Sequence, residues 1–533
     1  MKSNPMMLKV AEYAPDQPTL RLQGDPATTD IINNVLPRTD RGYGAMQDFQ
    51  PSTQTPLPTP AHGAYFAADP VGNTAVFAGT TTDLYRIQAA QTAFSNVSKS
   101  VGAYLCPNDE NWSFTQFGPR LLAANIHDPI QSYIMGTSTK FADLAAAAPK
   151  ARFVTVIKNF LMTANTWDPV GGYAPWRCWW SALGDPTNWP TPGTAAAQAV
   201  QSDYNDIVGE AGMITGIVGN LGTADGALFF EHAVFRINYV GPPAIFNFVP
   251  AEGVRGCPAP GSIAQLGATV FYFGEDGFYL FDGVNSIPIG ANKVDRTFIE
   301  DVDPASYGRI TACVDPLNKV VIWSYTSRAA WNAPPAYPNW PFCDKMLIYN
   351  WVTQRWGTAT LNVDLLFRST GFGYTLDGLD ATGYTLDTLP YSLDSRAWNG
   401  GGLLLGAFQN GYLGYFQGPT LAAQLQTEEI QPFPGQRTFV RNTRPIVNMN
   451  PASMAGDPDE PGYVAPNITV TACVRDAVTS SSEDAQTGIL NRLGIAPLRS
   501  SARYMRFEIN VGAGVGFDNI QGIEIDASPV GVR

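Results

Sequence analysis

Residues 267–283 read GATVFYFGEDGFYLFDG, two apolar and aromatic runs separated by Gly-Glu-Asp-Gly. Val, Phe and Tyr favour β-strands, and the intervening Gly and Asp favour a tight turn. The stretch predicts a hairpin with strands over 270–273 and 278–281, in which Asp276-Gly277 supplies the positive φ angles of a two-residue primed turn. Because both strands are apolar on both faces, the hairpin is expected to be covered on two sides.

The same unit recurs along the chain: an apolar strand, a polar turn, and a second strand that carries an aromatic residue. The aromatic residues of successive units lie about 45 to 70 residues apart, which is the length of one propeller blade of three or four short strands. They are Tyr85, Tyr133, Trp179, Phe235, Tyr279, Tyr349 and Tyr415. Asn410-Gly411 predicts a further two-residue hairpin turn. The repeat predicts a β-propeller of about six blades over residues 51–418.

The composition changes after Gly418. Prolines are frequent over 419–465, and the segments 468–478 (ITVTACVRDAV) and 502–514 (ARYMRFEINVGAG) alternate polar and apolar residues. Such alternation is typical of antiparallel strands with one solvent-exposed face. We therefore expect an all-β protein in which residues 419–533 form a smaller antiparallel β-sandwich or barrel, the platform domain, joined by an extended N-terminal arm over residues 1–50.

Charge and hydropathy exclude several functions. The chain has 33 Lys and Arg against 46 Asp and Glu, a formal net charge of −13, which is the wrong sign for tight binding of nucleic acid. It contains no apolar run of about 18 residues, and its start lacks the apolar segment of a signal peptide. The sequence predicts synthesis in the cytoplasm and no insertion into a membrane.

The cysteines and histidines do not form a metal-binding pattern. They are scattered, with no Cys-x-x-Cys pair, whereas a zinc site needs at least two closely spaced ligands. We expect reduced thiols, no metal site and no cofactor. The residues are Cys106, Cys178, Cys257, Cys313, Cys343 and Cys473, with His62, His127 and His232.

Two groups of carboxylates are the candidates for catalytic chemistry. Glycosidases use two carboxylates at a fixed separation, and some are propellers, so a carbohydrate-binding or glycan-cleaving propeller with a carboxylate pair is the alternative function. The first group flanks the hairpin and the second crowds one loop; they are Glu275, Asp276 and Asp282, then Asp295, Glu300, Asp301 and Asp303.

Tryptophans could stack sugars, but in a chain of short strands most are expected in the core. They are Trp112, Trp176, Trp179, Trp180, Trp189, Trp323, Trp351 and Trp356. No hydrolase elbow, zincin or P-loop motif is present. The sequence therefore predicts no enzyme and assigns no catalytic, cofactor-binding or metal-binding residue.

A second repeat lies between Tyr374 and Trp398, where Thr-Leu-Asp, Thr-Leu-Asp and Ser-Leu-Asp follow one another. It predicts successive turns in which each Asp accepts hydrogen bonds from backbone N–H groups and each Leu docks onto the core. A calcium array is the alternative, although the spacing lacks the ladder of a calcium loop.

The order of these motifs resembles the tail nozzle proteins of short-tailed, podovirus-type bacteriophages, a family also called tail tubular protein B or packaged-DNA stabilisation protein. The motifs span nearly the whole chain: INNVLPRTDRGYG (32–44), WWSALGDPTNW (179–189), FGEDGFYLFDGVNSIPIG (273–290), DPLNKVVIWSY (315–325), LIYNWVTQRWG (347–357), the Leu-Asp triplets, and a RYMRFEI…GIEID ending.

The resemblance implies a propeller beside a platform domain, with six copies forming a homohexameric ring in the tail of the virion. The ring would dock onto an adaptor above and a needle, spike or fibre below, and DNA would pass through its lumen without tight binding. An acidic chain suits such a conduit, because like charge does not hold a duplex. Arginines such as Arg499, Arg503 and Arg506 are expected to face the adaptor or the neighbouring subunit. A cytosolic propeller that acts as an interaction hub is a third class.

Overall fold

The computed structural model describes residues 4–20, 26–40, 42–89, 91–222, 224–333, 343–371, 389, 398, 401–449 and 465–530. Over these residues the chain consists mainly of short β-strands, and the prediction of an all-β propeller with a smaller antiparallel platform is confirmed. The Leu-Asp repeat lies outside the described residues, apart from Leu389 and Trp398. No helix in the described ranges is long and apolar enough to cross a membrane.

The N-terminal arm contributes strands to both parts of the molecule. β1 pairs with the last strand of the chain, whereas β7 enters the propeller. The strands are β1 (Asn4–Lys9), β2 (Glu12–Tyr13), β3 (Thr28–Thr29), β4 (Ile32–Asn33), β5 (Val35–Thr39), β6 (Gly42–Ala45) and β7 (Gln47–Pro51).

The first five blades are four-stranded antiparallel sheets, each formed by consecutive strands. Blade one is β8 (Gly63–Ala68), β9 (Thr74–Gly79), β10 (Leu84–Gln88) and β11 (Ser95–Asn96). Blade two is β12 (Ser113–Phe117), β13 (Arg120–Ala124), β14 (Gln131–Ile134) and β15 (Ala142–Asp143). Blade three is β16 (Lys150–Ile157), β17 (Phe160–Asp168), β18 (Gly172–Trp180) and β19 (Asp203–Asp206), with helix α1 (Ala195–Val200) before β19.

Blades four and five continue the series. Blade four is β20 (Ile214–Leu221), β21 (Ala224–Phe230), β22 (Val234–Gly241) and β23 (Ile245–Glu252). A 3₁₀ turn (Pro260–Ser262) leads into blade five, which is β24 (Ala264–Leu266), β25 (Thr269–Phe273), β26 (Phe278–Phe281) and β27 (Ser286–Pro288). Helix α2 (Asp295–Asp301) and a second 3₁₀ turn (Pro304–Arg309) follow.

The last two blades receive strands from the arm. Blade six is β28 (Thr311–Asp315), β29 (Val320–Tyr325), β30 (Cys343–Asn350) and β31 (Arg355–Val363), with helix α3 (Arg328–Trp331) after β29, and β4 pairs with β31. Blade seven is β32 (Leu365–Thr370), β33 (Leu403–Gln409) and β34 (Tyr412–Thr420), and its fourth strand is β7. The described residues therefore form seven blades where the sequence predicted about six. Each of the seven repeat aromatics lies on the third strand of its own blade.

The hairpin over 269–281 forms as predicted, with β25 antiparallel to β26. Its alternate residues enter two different cores: Val270 and Tyr272 pack with blade four, and Phe271 and Phe273 with blade six. Gly-Glu-Asp-Gly joins the strands as predicted, because Phe273 pairs directly with Phe278 and leaves residues 274–277 between them. The positive φ expected at both Asp276 and Gly277 occurs at Gly277 but not at Asp276. The turn at Asn410-Gly411 has positive φ at both residues, as predicted.

Adjacent blades are joined through their first strands, which line the propeller axis. Two glutamines at matching positions make the same bridge between blades. Gln265 donates to the Gly219 carbonyl of blade four at 2.7 Å and to the Gly267 carbonyl of its own turn at 3.0 Å. Gln116 in blade two donates to Ala68 of blade one and to its own Gly118.

The platform is a β-sandwich that shares a sheet with the propeller. One sheet runs β39-β36-β41-β6-β5, with β1 also on β41; the other continues from blade six as β28-β29-β30-β31-β4-β35-β40-β37-β38, nine strands in all. The domain limits at residues 50 and 418 stay predictions. The strands are β35 (Ala423–Gln426), β36 (Thr438–Met449), β37 (Ile468–Arg475), β38 (Glu483–Ile489), β39 (Ala496–Ala502), β40 (Tyr504–Val511) and β41 (Phe517–Pro529).

A single apolar core crosses the junction of propeller and platform. It contains Phe278, Trp323 and Trp356 from blades five and six together with Phe507 and Ile525 from the platform. Tyr43 of the arm is fully buried there. Its hydroxyl donates to the Trp356 carbonyl at 2.9 Å and accepts from the Tyr13 N–H at 3.1 Å. The junction therefore has the packing of a domain interior.

Candidate functional site

The carboxylates that flank the hairpin stabilise turns and interblade contacts. Glu275 pairs with His232 of blade four. Asp276 accepts a hydrogen bond from the Tyr279 hydroxyl at 2.6 Å. Asp282 accepts from the N–H groups of the turn that follows it, at 2.7 and 2.8 Å. Each of these three acids has a structural partner.

Asp295, from the second group, sits in a cradle made by two glycines. Its carboxylate accepts from the Phe278 N–H at 3.0 Å, and a Cβ at Gly277 or Gly290 would lie within 2.2 or 1.9 Å of it. Burial, supported by the charges of Asp16 and Asp276, raises the pKa of Asp295 to about 7. Asp295 therefore changes charge near neutral pH, but its hydrogen bond is to backbone.

The remaining acids of this loop are also engaged. Asp301 Oδ2 accepts from the Tyr325 hydroxyl at 3.0 Å and from Lys345 Nζ at 2.8 Å. Glu300 pairs with Arg296 at 3.2 Å, and Asp303 caps the following 3₁₀ turn by accepting from the Ala305 N–H at 3.0 Å. Glu300 and Asp301 also line a polar cavity of about 430 Å³ between α2, blade six and the arm.

The six cysteines are buried and none of them forms a disulfide bond. Burial raises the pKa of the Cys257 and Cys313 thiols to about 12, so both stay protonated near neutral pH. Burial also lowers the pKa of His62 to about 4. Across the described ranges, no three His, Cys, Asp or Glu side chains are grouped so that they could hold a metal ion.

The connection between blades one and two crosses the propeller axis. Asn111 Nδ2 donates to the Gly308 carbonyl at 2.9 Å, immediately before the first strand of blade six on the far side of the ring. A Cβ at Gly308 would lie 2.5 Å from the carbonyl oxygen of Asp109, so the glycine permits this close approach. Arg309 is buried beside this contact. One end of the channel within the propeller is therefore spanned by protein.

Exposed aromatic side chains concentrate on one blade. Across the part of the chain that the structure describes, the aromatic side chains classed as exposed are Trp167, Tyr173, Trp176 and Tyr204, which expose 37–49% of their surface. All four belong to blade three, and we call them the blade-three aromatic residues. Trp167 and Tyr173 are directly opposite each other on β17 and β18. Tyr204 is opposite Trp179, and the Ile207 N–H donates to the Trp176 carbonyl, so the alternation of β18 places Trp176 and Tyr204 on opposite faces of the blade.

A β-bulge directs Trp176 towards solvent. Ala164 pairs with Cys178 and Thr166 with Ala174, so three residues of β18 face the single residue Asn165. Asn165 is buried with a left-handed φ of 58°, and its Nδ2 donates to the Ile214 carbonyl at 3.0 Å. Bulges reorient side chains and are frequent beside functional sites.

Cations pack against two of the blade-three aromatic residues. Lys150 Nζ lies 4.9 Å from the Trp167 ring centre, and the Arg177 guanidinium lies 4.0 Å from that of Tyr204. Arg177 donates to both oxygens of Asp206 at 2.7 and 2.8 Å and to Asp168 at 3.2 Å. The hydrogen bonds with Asp206 raise the pKa of Arg177.

Trp176 is one of the eight tryptophans considered in the sequence, but no sequence pattern predicted that the exposed aromatic residues would lie on blade three. Of the others, Trp351 is half-buried and the rest are buried in or between blades. The available signal was the turn Asp-Pro-Val-Gly-Gly at 168–172 with aromatic residues on both sides. Turns project from the ends of strands, so aromatic residues beside them are more readily exposed.

Comparisons with known proteins find matches among solved structures. No family model and no curated protein matches the sequence. Among solved structures, YCF48 from Cyanidioschyzon merolae is 9% identical, with a TM-score of 0.36, over 70% of this chain and 99% of that chain. The Pan2 WD40 domain of Neurospora crassa is 7% identical, with a TM-score of 0.34, over 67% and 88%.

An exo-β-1,3-galactanase from Phanerochaete chrysosporium is 9% identical, with a TM-score of 0.25, over 80% of this chain and 97% of that chain. At these identities and TM-scores the similarities support no statement about function. The class that the architecture defines is that of seven-bladed β-propellers with an attached β-sandwich.

Proposed function

We propose that this chain is a tail nozzle protein of a short-tailed bacteriophage, a structural component of the virion. Six copies would form a ring-shaped conduit for genome ejection below the portal and adaptor. The proposal starts from the order of motifs between Ile32 and the C-terminal strands. In this function the chain carries out no chemical reaction and needs no cofactor.

The nine-stranded sheet is the structural observation that carries the proposal. Backbone hydrogen bonds continue from blade six through β4 of the arm into the platform. A shared sheet and a shared core resist hinge motion between the two parts. A ring under load from a moving genome needs stiff subunits of this kind.

The passage for DNA would lie between chains. The propeller axis is spanned by the contact between Asn111 and Gly308, so the conduit is assigned to the centre of the ring. The net charge of −13 favours weak interaction with a duplex. Adaptor contacts above and needle, spike or fibre contacts below would use the ends of this ring.

Assembly state tests the proposal. We expect rings of six subunits by mass photometry and negative-stain electron microscopy, either for the purified chain or after mixing with the adaptor encoded beside it. Ring closure uses a head-to-tail interface, which for permanent assemblies buries more than about 2,000 Å². A strictly monomeric chain under both conditions would contradict the proposal, as would a genomic neighbourhood without portal, adaptor and terminase genes.

One specific observation favours part of the alternative function. The blade-three aromatic residues are exposed side chains of the kind that stack on sugars in carbohydrate-binding proteins. The carboxylates considered for glycan cleavage instead have structural partners. A second candidate function is therefore carbohydrate binding without cleavage.

A further inference from the structure

We propose that the polar cavity between helix α2, blade six and the arm binds a small organic cation that carries several N–H groups. The cavity has a volume of about 430 Å³, which lies within the range of small-molecule sites. Two acids, Glu300 and Asp301, and one lysine, Lys345, line it together with five side chains that carry hydroxyl groups. The hydrogen bonds and charges of these residues indicate the chemistry of the ligand.

The polar side chains of this cavity form one contiguous surface. Tyr325 on β29 is opposite Lys345 on β30, and Lys345 is opposite Thr360 on β31. Directly opposed residues of antiparallel strands lie on the same face of a sheet. Thr360 in turn exchanges hydrogen bonds with Asn33 of the arm at 3.1 and 3.3 Å. Asp301, the last residue of α2, joins this row because its Oδ2 accepts from Tyr325 Oη at 3.0 Å and from Lys345 Nζ at 2.8 Å.

Four of the five hydroxyl groups already donate their single proton to the protein. The four bonds are Tyr325 Oη to Asp301 at 3.0 Å, Thr360 Oγ1 to Asn33 at 3.3 Å, Thr358 Oγ1 to the Ile32 carbonyl at 2.6 Å, and Thr297 Oγ1 to Asp16 at 2.7 Å. A hydroxyl whose proton is donated can only accept a further hydrogen bond. A ligand of this cavity must therefore supply the protons, as the N–H groups of an ammonium or guanidinium ion do.

The charges of the cavity also favour a cation. Asp301 keeps 28% of its side-chain surface exposed, and its Oδ1 makes no hydrogen bond within the part of the chain that the structure describes. Glu300 adds a second carboxylate, and its partner Arg296 is largely exposed, so this ion pair is weak. Lys345 is already bound to Asp301. An anionic ligand would therefore meet two carboxylates and one cation that is already paired.

Tyr13 of the arm contributes the fifth hydroxyl. Tyr13 lines the cavity and is only 9% exposed, and its Oη makes no hydrogen bond to any residue in the described ranges. A buried polar group without a partner costs free energy, which a ligand in the cavity would relieve. Burial, together with the charges of Asp301, Asp16 and Asp30, raises the pKa of Tyr13. Its hydroxyl therefore stays neutral and can accept an N–H of the ligand.

The size of the cavity favours an organic cation over a metal ion. One water molecule occupies about 30 Å³, so a bare ion would leave most of the cavity empty. Among the residues that the structure describes, no three His, Cys, Asp or Glu side chains are grouped to hold a metal ion. Because Tyr13 and Asn33 belong to the arm and Lys345 to blade six, a bound cation would join the arm to the propeller.

Isothermal titration calorimetry of the purified chain tests this inference with putrescine, spermidine and agmatine. Butane-1,4-diol and succinate are the matched ligands, because they resemble putrescine in length but are neutral and anionic. We expect at least one of the amines to bind at one site per chain, and both matched ligands to bind about tenfold more weakly or not at all. Nα-acetyl-lysine amide distinguishes the source of the cation: tighter binding than putrescine assigns the site to a lysine side chain of a partner, and weaker binding assigns it to a free amine.

Two variants locate the binding site. Asp301→Asn should weaken amine binding about tenfold or more, because a charged hydrogen bond is lost, and Tyr13→Phe should weaken it about threefold. Glu210→Gln is the control, since it removes one negative charge from an exposed position between blades three and four, and its affinity should stay within about twofold of wild type. Thermal unfolding establishes that each variant is folded, and if Asp301→Asn is not, Tyr13→Phe decides alone.

Three results would overturn the inference. The first is that the wild type binds none of the amines, and the second is that it binds the diol or succinate as tightly as putrescine. The third is that folded test variants bind the amines with the affinity of wild type. Binding is measured on the single chain, so these results do not depend on whether the protein forms rings.

Discussion

At the scale of single residues, Asp295 has the most unusual environment among the candidate acids. Its carboxyl lies against two glycines and accepts one backbone hydrogen bond, and its pKa is raised from 3.8 to about 7. The folded state therefore binds the proton more tightly than the unfolded state does. The stabilisation that results is fully present below about pH 4 and is lost as the pH rises through about 7.

Asp295→Asn should remove this dependence, because an amide keeps the acceptor for Phe278 and carries no charge. Relative to wild type, the unfolding midpoint of the variant should rise by about 1–3 °C between pH 4.5 and pH 8. Thermal unfolding followed by circular dichroism at both pH values measures it. Asp185→Asn, on an exposed turn of blade three, is the control. A constant difference between variant and wild type would show that burial of Asp295 has no electrostatic cost.

At the scale of elements, the hairpin of blade five depends on the loop that joins its strands. Gly277 lets that loop pass over Asp295, which begins helix α2. One glycine thus couples the blade to the segment that leads into blade six. Local sequence predicted both strands and the turn between them, but it did not predict the contact of this turn with Asp295, which lies 18 residues after Gly277.

Gly277→Ala should lower the free energy of unfolding by about 2–4 kcal/mol, because the new Cβ would overlap Asp295 in a packed site. Urea unfolding monitored by tryptophan fluorescence measures the change. Gly253→Ala is the control, since its Cβ would meet no atom within 4 Å, and it should change stability by less than about 0.5 kcal/mol. If the two variants were equally stable, the cradle around Asp295 would be freely adjustable.

At the scale of the whole molecule, closure of the propeller within one chain joins distant parts of the sequence. β7 of the arm completes blade seven by pairing with β34, and Phe49 packs against Phe416 at 6.4 Å between ring centres. The arm also crosses the junction with the platform through β4 and Tyr43. Propeller, platform and arm therefore stabilise one another.

Deletion of residues 1–51 should abolish cooperative unfolding, because blade seven loses a strand and the junction core loses Tyr43. Differential scanning calorimetry should give one transition for the full chain, and a broad, lower-temperature transition with aggregation for the truncated one. Addition of a synthetic peptide of residues 42–58 should partly restore blade seven. Two separate transitions in the full chain would contradict the coupling.

Features set by residues close together in the sequence were predicted, whereas features set by contacts between distant residues were not. Local composition predicted the strands over 270–273 and 278–281 and the recurrence of an aromatic residue on one strand of each unit, although not its place on the third strand of a blade. Three features depend on contacts between distant residues: closure by β7, the Asn111 contact with Gly308, and the bulge that exposes Trp176. No local pattern encodes those contacts. The sequence therefore did not predict the number of blades, the contact that spans the propeller axis, or the exposure of aromatic residues on blade three.

The pairing of β7 with β34 also sets an order of events during synthesis. About 360 residues separate Pro51 from Tyr412, and at about 5–20 residues per second the ribosome needs roughly 20–70 s to make them. Throughout that interval the early strand has no partner, while blades one to six can already stack. Completion of blade seven is therefore a late step in folding. A nascent chain stalled before residue 412 would carry an open propeller suited to recognition by chaperones or proteases.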